Sequence, residues 1–65
     1  MKLTINGADR DVDATTLAQL LDAELASTQG VAAAVDGEVV PRAEWGTFPL
    51  TDGQAVELLT AVQGG

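Results

Sequence analysis

The stretch VAAAVDGEVVP, residues 31–41, decides whether the middle of the chain is helix or sheet. Its three alanines suit a helix, but a glycine precedes the stretch and Asp36-Gly37 interrupts it. Asp-Gly is a strong signal for a tight β-hairpin turn, because both central residues of that turn take positive φ angles. Pro41 ends the second strand, since proline cannot donate a hydrogen bond to a neighbouring strand. The stretch therefore predicts a hairpin whose strands are Val31–Val35 and Glu38–Val40.

On the N-terminal side of this hairpin the sequence predicts a helix. Thr16-Leu17-Ala18-Gln19 matches the capping box, with Thr16 as the N-cap and Gln19 bonding back to its amide. Leucines then recur at helical spacing and form one apolar stripe, at positions 17, 20, 21 and 25. A helix with one apolar face needs a sheet to cover, so the chain is predicted to be α+β with two layers.

The chain begins with another hairpin pattern. Apolar residues at positions 1, 3 and 5 alternate with polar ones, as in a half-buried strand. Asn6-Gly7 supplies the positive φ angles of a tight turn. The return strand, about Ala8 to Val12, is short and rich in charged residues, which suits the edge of a sheet.

After the second hairpin comes an irregular crossover, residues 42–50. We expect one helical turn at Ala43–Trp45, and a tight turn at Thr51–Gln54 that leads into the last strand. Trp45, Phe48 and Leu50 are large and apolar, so they are predicted to anchor the crossover to the core.

The run Ala55–Val62 alternates in the manner of a strand. Residues 56, 58, 60 and 62 fall on one side, which we assign to the core. Leu59 and Ala61 fall on the other side. One helix covers only one face of a sheet, so the other face stays open to solvent or to a partner. We therefore predict that Leu59 and Ala61 belong to a surface on which a partner docks.

The sequence ends in Gln63-Gly64-Gly65, which we expect to be a flexible tail after a domain of residues 1–62. Glycine has no Cβ, so Gly-Gly passes through a narrow gap and takes backbone angles closed to other residues. Gln63 and Gly64 would thus lead the Gly65 carboxylate into a channel of a partner. An ordinary frayed chain end is the alternative, and the tail alone does not decide between the two.

Composition excludes several kinds of chemistry. The 65 residues suffice for one domain and include no Cys and no His, which excludes disulfides, thiol catalysis and the usual zinc sites. Three basic residues against ten acidic ones give a formal charge of −7, which argues against nucleic acid. The acidic surface serves solubility, steering towards a basic partner, or both. No apolar run approaches a membrane span and no signal-peptide pattern is present, so we expect a cytoplasmic protein that does not bind membranes.

A hairpin, a helix, a second hairpin, an irregular crossover, a strand and a Gly-Gly end together resemble the ubiquitin-like β-grasp fold. The stretch VDGEVVPR at 35–42, with Trp45, and LTDG at 50–53 look like the sulfur carrier protein of thiamine biosynthesis, the ThiS family. The resemblance covers essentially the whole chain. It implies one helix packed on a mixed four- to five-stranded sheet, with the final strand parallel to the first at the centre.

The resemblance also implies a reaction at Gly65. A partner adenylating enzyme would bind ATP and magnesium and join the Gly65 carboxylate to AMP, releasing pyrophosphate. A persulfide on a sulfur-donor enzyme would displace AMP and leave a thiocarboxylate, whose sulfur thiazole synthase takes into the thiazole ring of thiamine. The chain has no phosphate-binding glycine-rich loop, so we expect it to bind no cofactor or metal of its own. It would be a protein cosubstrate with one reactive group, and not an enzyme.

Three other functions stay open at this point. A ubiquitin-like protein modifier forms isopeptide bonds to lysines and ends in the same tail, although a single lysine, Lys2, offers little for building chains of itself. The related sulfur carrier for molybdopterin synthesis shares fold and tail, but the segment from Pro41 to Trp45 is more similar to the thiamine carrier. The third is a small structural domain with an incidental glycine end.

Overall fold

The computed structural model describes residues 1–60, and its elements follow the predicted order. In chain order, one β-hairpin precedes the helix and a second β-hairpin follows it. A 3-10 helix then leads to the last strand. The elements are β1 Lys2–Ile5, β2 Ala8–Asp11, α1 Leu17–Glu24, β3 Val31–Val35, β4 Glu38–Val40, the 3-10 helix Arg42–Thr47 and β5 Ala55–Thr60. Among these described residues, no helix has the length and apolar character needed to cross a membrane.

The five strands form one mixed sheet in the order β2-β1-β5-β3-β4. β5 lies at the centre, parallel to β1 on one side and antiparallel to β3 on the other. The two hairpins flank it as antiparallel pairs. One helix on a mixed five-stranded sheet, with the last strand parallel to the first, is the α+β, β-grasp arrangement that the resemblance implied. The predicted fold class is confirmed.

Both hairpin turns take the backbone form that their sequences predict. The φ angles are 50° at Asn6 and 84° at Gly7 in the first turn. They are 51° at Asp36 and 87° at Gly37 in the second turn. Positive φ at both central residues matches the right-handed twist of the flanking strands, and glycine takes it without steric penalty.

Each turn is also tied to the central strand by its first residue. Asn6 Oδ1 accepts a hydrogen bond from the Leu58 amide at 2.8 Å. Asp36 Oδ1 accepts one from the Ala55 amide at 2.9 Å. Short side chains of this kind satisfy backbone donors that a turning strand no longer reaches. The two hairpins are therefore fastened to β5 at its start and near its end.

The helix begins with Thr16 as N-cap, as predicted, but its capping pattern differs by one residue. Thr16 Oγ1 accepts from the Gln19 amide at 3.3 Å, as in a capping box. The Gln19 side chain accepts from the Thr15 amide at 2.8 Å, and not from the Thr16 amide. Backbone hydrogen bonds to the crossover hold the segment before the helix extended, so that the Thr15 amide faces the glutamine.

The helix packs its leucine stripe onto one face of the sheet. Leu17, Leu20 and Leu21 are fully buried, and burial of each contributes about 1.5–3 kcal/mol relative to exposure. The helix ends at Glu24, one residue before the last leucine of the stripe, because the backbone of Leu25 is extended and forms its C-cap. Leu25 and Phe48 are half-buried against the core. The buried apolar residues are Leu3, Ile5, Leu17, Leu20, Leu21, Ala33, Val35, Val40, Trp45, Leu50, Val56 and Leu58.

The crossover is more regular than predicted, because a 3-10 helix spans Arg42–Thr47 in place of a single turn. Trp45 is buried, and its Nε1 donates to the Val40 carbonyl at 2.9 Å, so the indole has a polar partner. The Arg42 guanidinium lies 4.7 Å from the centre of the Trp45 ring and also donates to Thr28. These contacts tie the crossover to β4 and to the loop after α1.

Candidate functional site

The helix covers one face of the sheet and leaves the other face open. In the strand register, Ala34 lies between Glu57 and Val39. Ala32 lies opposite Leu59. Successive residues of a strand point to opposite faces, so these side chains face away from the buried core. We call this side the open face, and its members are Lys2, Thr4, Asp9, Asp11, Ala32, Ala34, Val39, Ala55, Glu57 and Leu59.

Two large apolar side chains stand out on the open face. Leu59 is 71% exposed and Val39 is 74% exposed. They lie on either side of β3, where the residues opposite them are Ala32 and Ala34. Because the alanines are small, Leu59 and Val39 project above them. They are two strand spacings apart across the sheet and two residues apart along it, or about 12 Å in all. We call Ala32, Ala34, Val39 and Leu59 the apolar patch.

Leu59 lies on the side of β5 that its alternation predicts. The exposure of Val39, by contrast, was not predicted from the sequence. The signal for Val39 is present in β4, since one of two successive valines must face away from the helix. Val40 is the buried one, so Val39 is exposed. Ala61, the second residue predicted for a docking surface, lies outside the described residues.

The open face carries a net negative charge. Glu57 lies on β5 two residues before Leu59, and Asp9 and Asp11 lie on β2 at the edge of the sheet. Lys2 is the basic member of the face, and in the strand register it lies opposite Asp11. The open face therefore carries three acidic side chains and one basic side chain, in a chain of formal charge −7. Such a surface attracts a partner that carries basic residues, and salt weakens the attraction.

β5 is the element that leads into the last five residues of the sequence. β3 pairs with β5 as far as Thr60, so the strand is held in extended form up to that residue. Leu58 is the last buried residue described. Leu59 is exposed, and so is Thr60, so the assignment of residue 60 to the core is wrong. The residues predicted to enter a channel of the partner lie outside the described residues, as does the predicted domain end at Val62; they are Gln63, Gly64 and Gly65.

A shallow groove lies between α1 and the segment that follows β2. Its lining includes Asp13 and Glu24, and a carboxylate oxygen of Glu24 lies 2.8 Å from a guanidinium nitrogen of Arg10. Carboxylates repel the phosphates of a nucleotide. The groove is therefore a poor site for ATP.

Comparisons with known proteins agree with this fold. The model of the ThiS family matches residues 3–65. A crystal structure of the thiamine biosynthesis protein ThiS from Geobacter metallireducens is 35% identical, with 100% of each chain covered and a TM-score of 0.85. An NMR structure of a thiamine biosynthesis protein from the same organism is also 35% identical, with a TM-score of 0.79 over 100% of this chain and 88% of the other. The comparison with curated proteins gave no significant match.

The matched range contains the motifs on which the resemblance rests, at residues 35–45 and 50–53. The structure gives these motifs a physical role. Asp36-Gly37 forms the turn of the second hairpin, and Trp45 fastens the crossover to the end of β4. The family match covers nearly the whole chain and the two solved structures cover all of it. The chain therefore belongs to the ThiS family.

Proposed function

We propose that this protein is a sulfur carrier that acts in the cytoplasm and supplies sulfur for thiazole formation in thiamine biosynthesis. Membership of the ThiS family is the observation that carries the proposal. The reactive group is the α-carboxylate of Gly65, at the end of the Gly-Gly tail. The protein is then a cosubstrate, and the catalytic groups belong to its partner enzymes.

The proposed reaction takes place at the carbonyl carbon of Gly65. A carboxylate resists attack by nucleophiles, so a partner adenylating enzyme first joins it to AMP and releases pyrophosphate. A persulfide sulfur of a donor enzyme then attacks the acyl carbon, and AMP leaves. Cleavage of the resulting S–S bond by a thiol leaves a thiocarboxylate on Gly65. Thiazole synthase takes its sulfur from that thiocarboxylate.

The partner, and not this chain, is proposed to hold ATP and magnesium. Phosphate groups are usually held by clustered cations or by a glycine-rich loop. The three cations of the chain lie in separate places and have other neighbours. Arg10 pairs with Glu24, Arg42 lies over the Trp45 ring, and Lys2 lies in β1. The described residues therefore favour a chain that is presented to a nucleotide-binding enzyme.

We propose the apolar patch as the surface on which the adenylating enzyme docks. Leu59 lies six residues before Gly65, so an enzyme that holds the carboxylate also meets the strand that carries Leu59. A single exposed leucine is ordinary on a protein surface. Leu59 together with Val39, above two alanines and on a negative face, is what favours a docking role. Ala61 is proposed to extend the same surface.

Leu59→Asp is expected to weaken binding to the adenylating enzyme while the fold stays intact. The side chain is 71% exposed, so the change costs the fold little, but it puts a charge in the apolar patch. Loss of an apolar anchor in an interface costs about 2 kcal/mol, which raises Kd more than about tenfold. Titration calorimetry at low and at moderate salt measures the change in affinity.

Ala43→Asp is the matched control for this substitution. Ala43 is exposed on the 3-10 helix, which contacts α1 on the other side of the sheet. The control adds the same charge away from the open face, so a long-range effect of charge appears in both variants. If L59D binds as tightly as the wild type, Leu59 does not belong to the docking surface.

The proposed function is tested by incubating the chain with the adenylating enzyme of its host, ATP and magnesium. We expect release of pyrophosphate in proportion to the amount of chain, and formation of an acyl-adenylate at its C terminus. Addition of a persulfide donor and a thiol should then convert the adenylate into a thiocarboxylate, because the thiol cleaves the S–S bond that joins the chain to the donor. Linkage of the activated chain to lysines of other proteins, in place of sulfur uptake, would identify a protein modifier and contradict the proposal.

A further inference from the structure

The central strand β5 extends further than its neighbour β1. The two strands pair at two positions, of which the last joins Ile5 to Val56. β1 then turns away at Asn6-Gly7, where both φ angles are positive. β5 continues to Thr60, and β3 pairs with it up to that residue. Within residues 1–60, the end of β5 thus has a strand neighbour on one side only.

Hydrogen bonds identify the groups of β5 that face the β1 side. The Thr4 amide donates to the Gln54 carbonyl at 3.1 Å, and the Asn6 amide donates to the Val56 carbonyl at 2.9 Å. The Leu58 amide donates to Asn6 Oδ1 at 2.8 Å. The N–H and C=O groups of successive residues point to opposite sides of a strand. The backbone groups of the even-numbered residues of β5 therefore point towards β1.

The same alternation places three further backbone groups on the β1 side, beyond the point where β1 turns away. They are the Leu58 carbonyl and the amide and carbonyl of Thr60. None of the three forms a hydrogen bond within residues 1–60. The Asn6 side chain accepts from the Leu58 amide, which is the last donor of β5 within reach of the first hairpin. Thr60 is the next residue whose backbone groups point to this side, and the hairpin does not reach it. We call this side of Leu58–Thr60 the open edge.

The open edge is built to accept another strand. Unpaired backbone groups along a strand are a template for pairing with a second chain. β3 already holds Leu58–Thr60 in extended form on the opposite side, so little ordering is needed when a segment adds. Thr60 is also exposed, so a partner has access to its backbone.

We propose that an extended segment of the adenylating enzyme adds to the open edge as a strand, in line with β1. Its main chain bonds to the Thr60 amide and to the Leu58 carbonyl. This inference rests on the proposed function, because activation of Gly65 is what brings that enzyme to the end of β5. Main-chain pairing fixes the strand before the tail, while the apolar patch beside it provides side-chain contacts.

The charge of the open face and the length of the tail limit which segment of the adenylating enzyme can add to the open edge. Glu57 lies beside the open edge on a face of net negative charge, so the segment is expected to carry basic residues. The formal charge of −7 disfavours a second copy of this chain as the occupant. Thr60 lies five residues before Gly65, and five extended residues span at most about 18 Å. The added strand should therefore lie within about 18 Å of the adenylation site of the enzyme.

Amide hydrogen exchange, followed residue by residue by NMR on the isotope-labelled chain, tests this pairing. In the free chain, the Thr60 amide is expected to exchange rapidly. The Glu57 amide faces β3 and should exchange slowly in the free and bound chain alike, so it is the internal control. Unlabelled adenylating enzyme should slow exchange at Thr60 at least about tenfold and leave Glu57 nearly unchanged.

Thr60→Pro tests the same pairing by activity. Proline has no N–H, so the variant lacks the donor that the added strand uses. The fold should stay intact, since the Thr60 amide forms no hydrogen bond within residues 1–60. Activation should fall about tenfold, mainly through a higher KM for the carrier, as expected for loss of a main-chain contact. Thr60→Ala is the matched control, because it keeps the amide and should behave like the wild type.

The possible outcomes separate this inference from the proposed function. If the enzyme activates the wild type while the Thr60 amide stays unprotected, or if Thr60→Pro and Thr60→Ala have equal KM values, the open edge is not used and the proposed function still stands. Protection that grows with the concentration of the chain alone would identify a second copy as the occupant and would also overturn the inference. If the wild type is not activated at all, both proposals fail.

Discussion

Deletion of Gly65 is expected to abolish ATP-dependent activation and to leave thermal unfolding unchanged. The shortened chain would present the carboxylate of Gly64, one residue short of the adenylation site of the enzyme. The core of the described chain lies between Leu3 and Leu58, so removal of the last residue should cost the fold little. Pyrophosphate release measures activation, and circular dichroism during heating measures stability.

Gly64→Phe is expected to block activation in the same assay, because an aromatic side chain does not fit a channel shaped for glycine. Gln63→Ala is the matched control, since it changes a side chain of the tail and keeps both glycines. If deletion of Gly65 lowers stability as much as a core truncation does, the tail is packed in the fold. That result would contradict its role as a freely presented substrate.

Leu58→Ala is expected to lower the free energy of unfolding by about 2–5 kcal/mol. Leu58 is 8% exposed and belongs to the core under the helix. The total stability of a domain is only about 5–15 kcal/mol, so this one change removes a large part of it. Unfolding in denaturant, followed by the fluorescence of the buried Trp45, measures the loss.

Leu59→Ala is the matched control for Leu58→Ala, because it removes the same atoms from the neighbouring residue. Leu59 is 71% exposed on the open face, so its truncation should change stability by less than about 0.5 kcal/mol. The difference between the two variants thus reports which side of β5 is buried. A larger loss for Leu59→Ala would mean that the strand pairs in a register shifted by one residue.

The local elements of this fold are predictable because their signals are local. Asn6-Gly7 and Asp36-Gly37 demand positive φ angles, and the structure has them. Thr16 provides the side-chain acceptor that starts the helix. Alternation along β5 assigns Leu58 to the core and Leu59 to the opposite face, and their exposures agree.

The arrangement of the sheet is not predictable from those local signals. β1 and β5 lie at opposite ends of the sequence, and their alternation alone does not specify that they pair in parallel. The central position of β5 came from the resemblance to the ThiS family. That resemblance rests on residues that fix the position of the crossover, such as Trp45 with its bond to the Val40 carbonyl.

Two features of the candidate site depend on register and therefore need the structure. Val39 is prominent because Ala34 lies opposite it and does not cover it. The open edge at Thr60 exists because β1 stops at Ile5, while β5 pairs with β3 further along. Sequence alternation gives the face of a residue, but it does not give the point at which a neighbouring strand turns away.

The intact mass of the chain after incubation with its host's adenylating enzyme, ATP, magnesium, a persulfide donor and a thiol tests the carrier role most directly. We expect a mass increase equal to the replacement of one oxygen by sulfur, located at Gly65 by fragmentation and absent when ATP is left out. Addition of thiazole synthase and its other substrates should return the chain to its original mass. An unchanged mass in the presence of active adenylating enzyme and donor would contradict the proposed function.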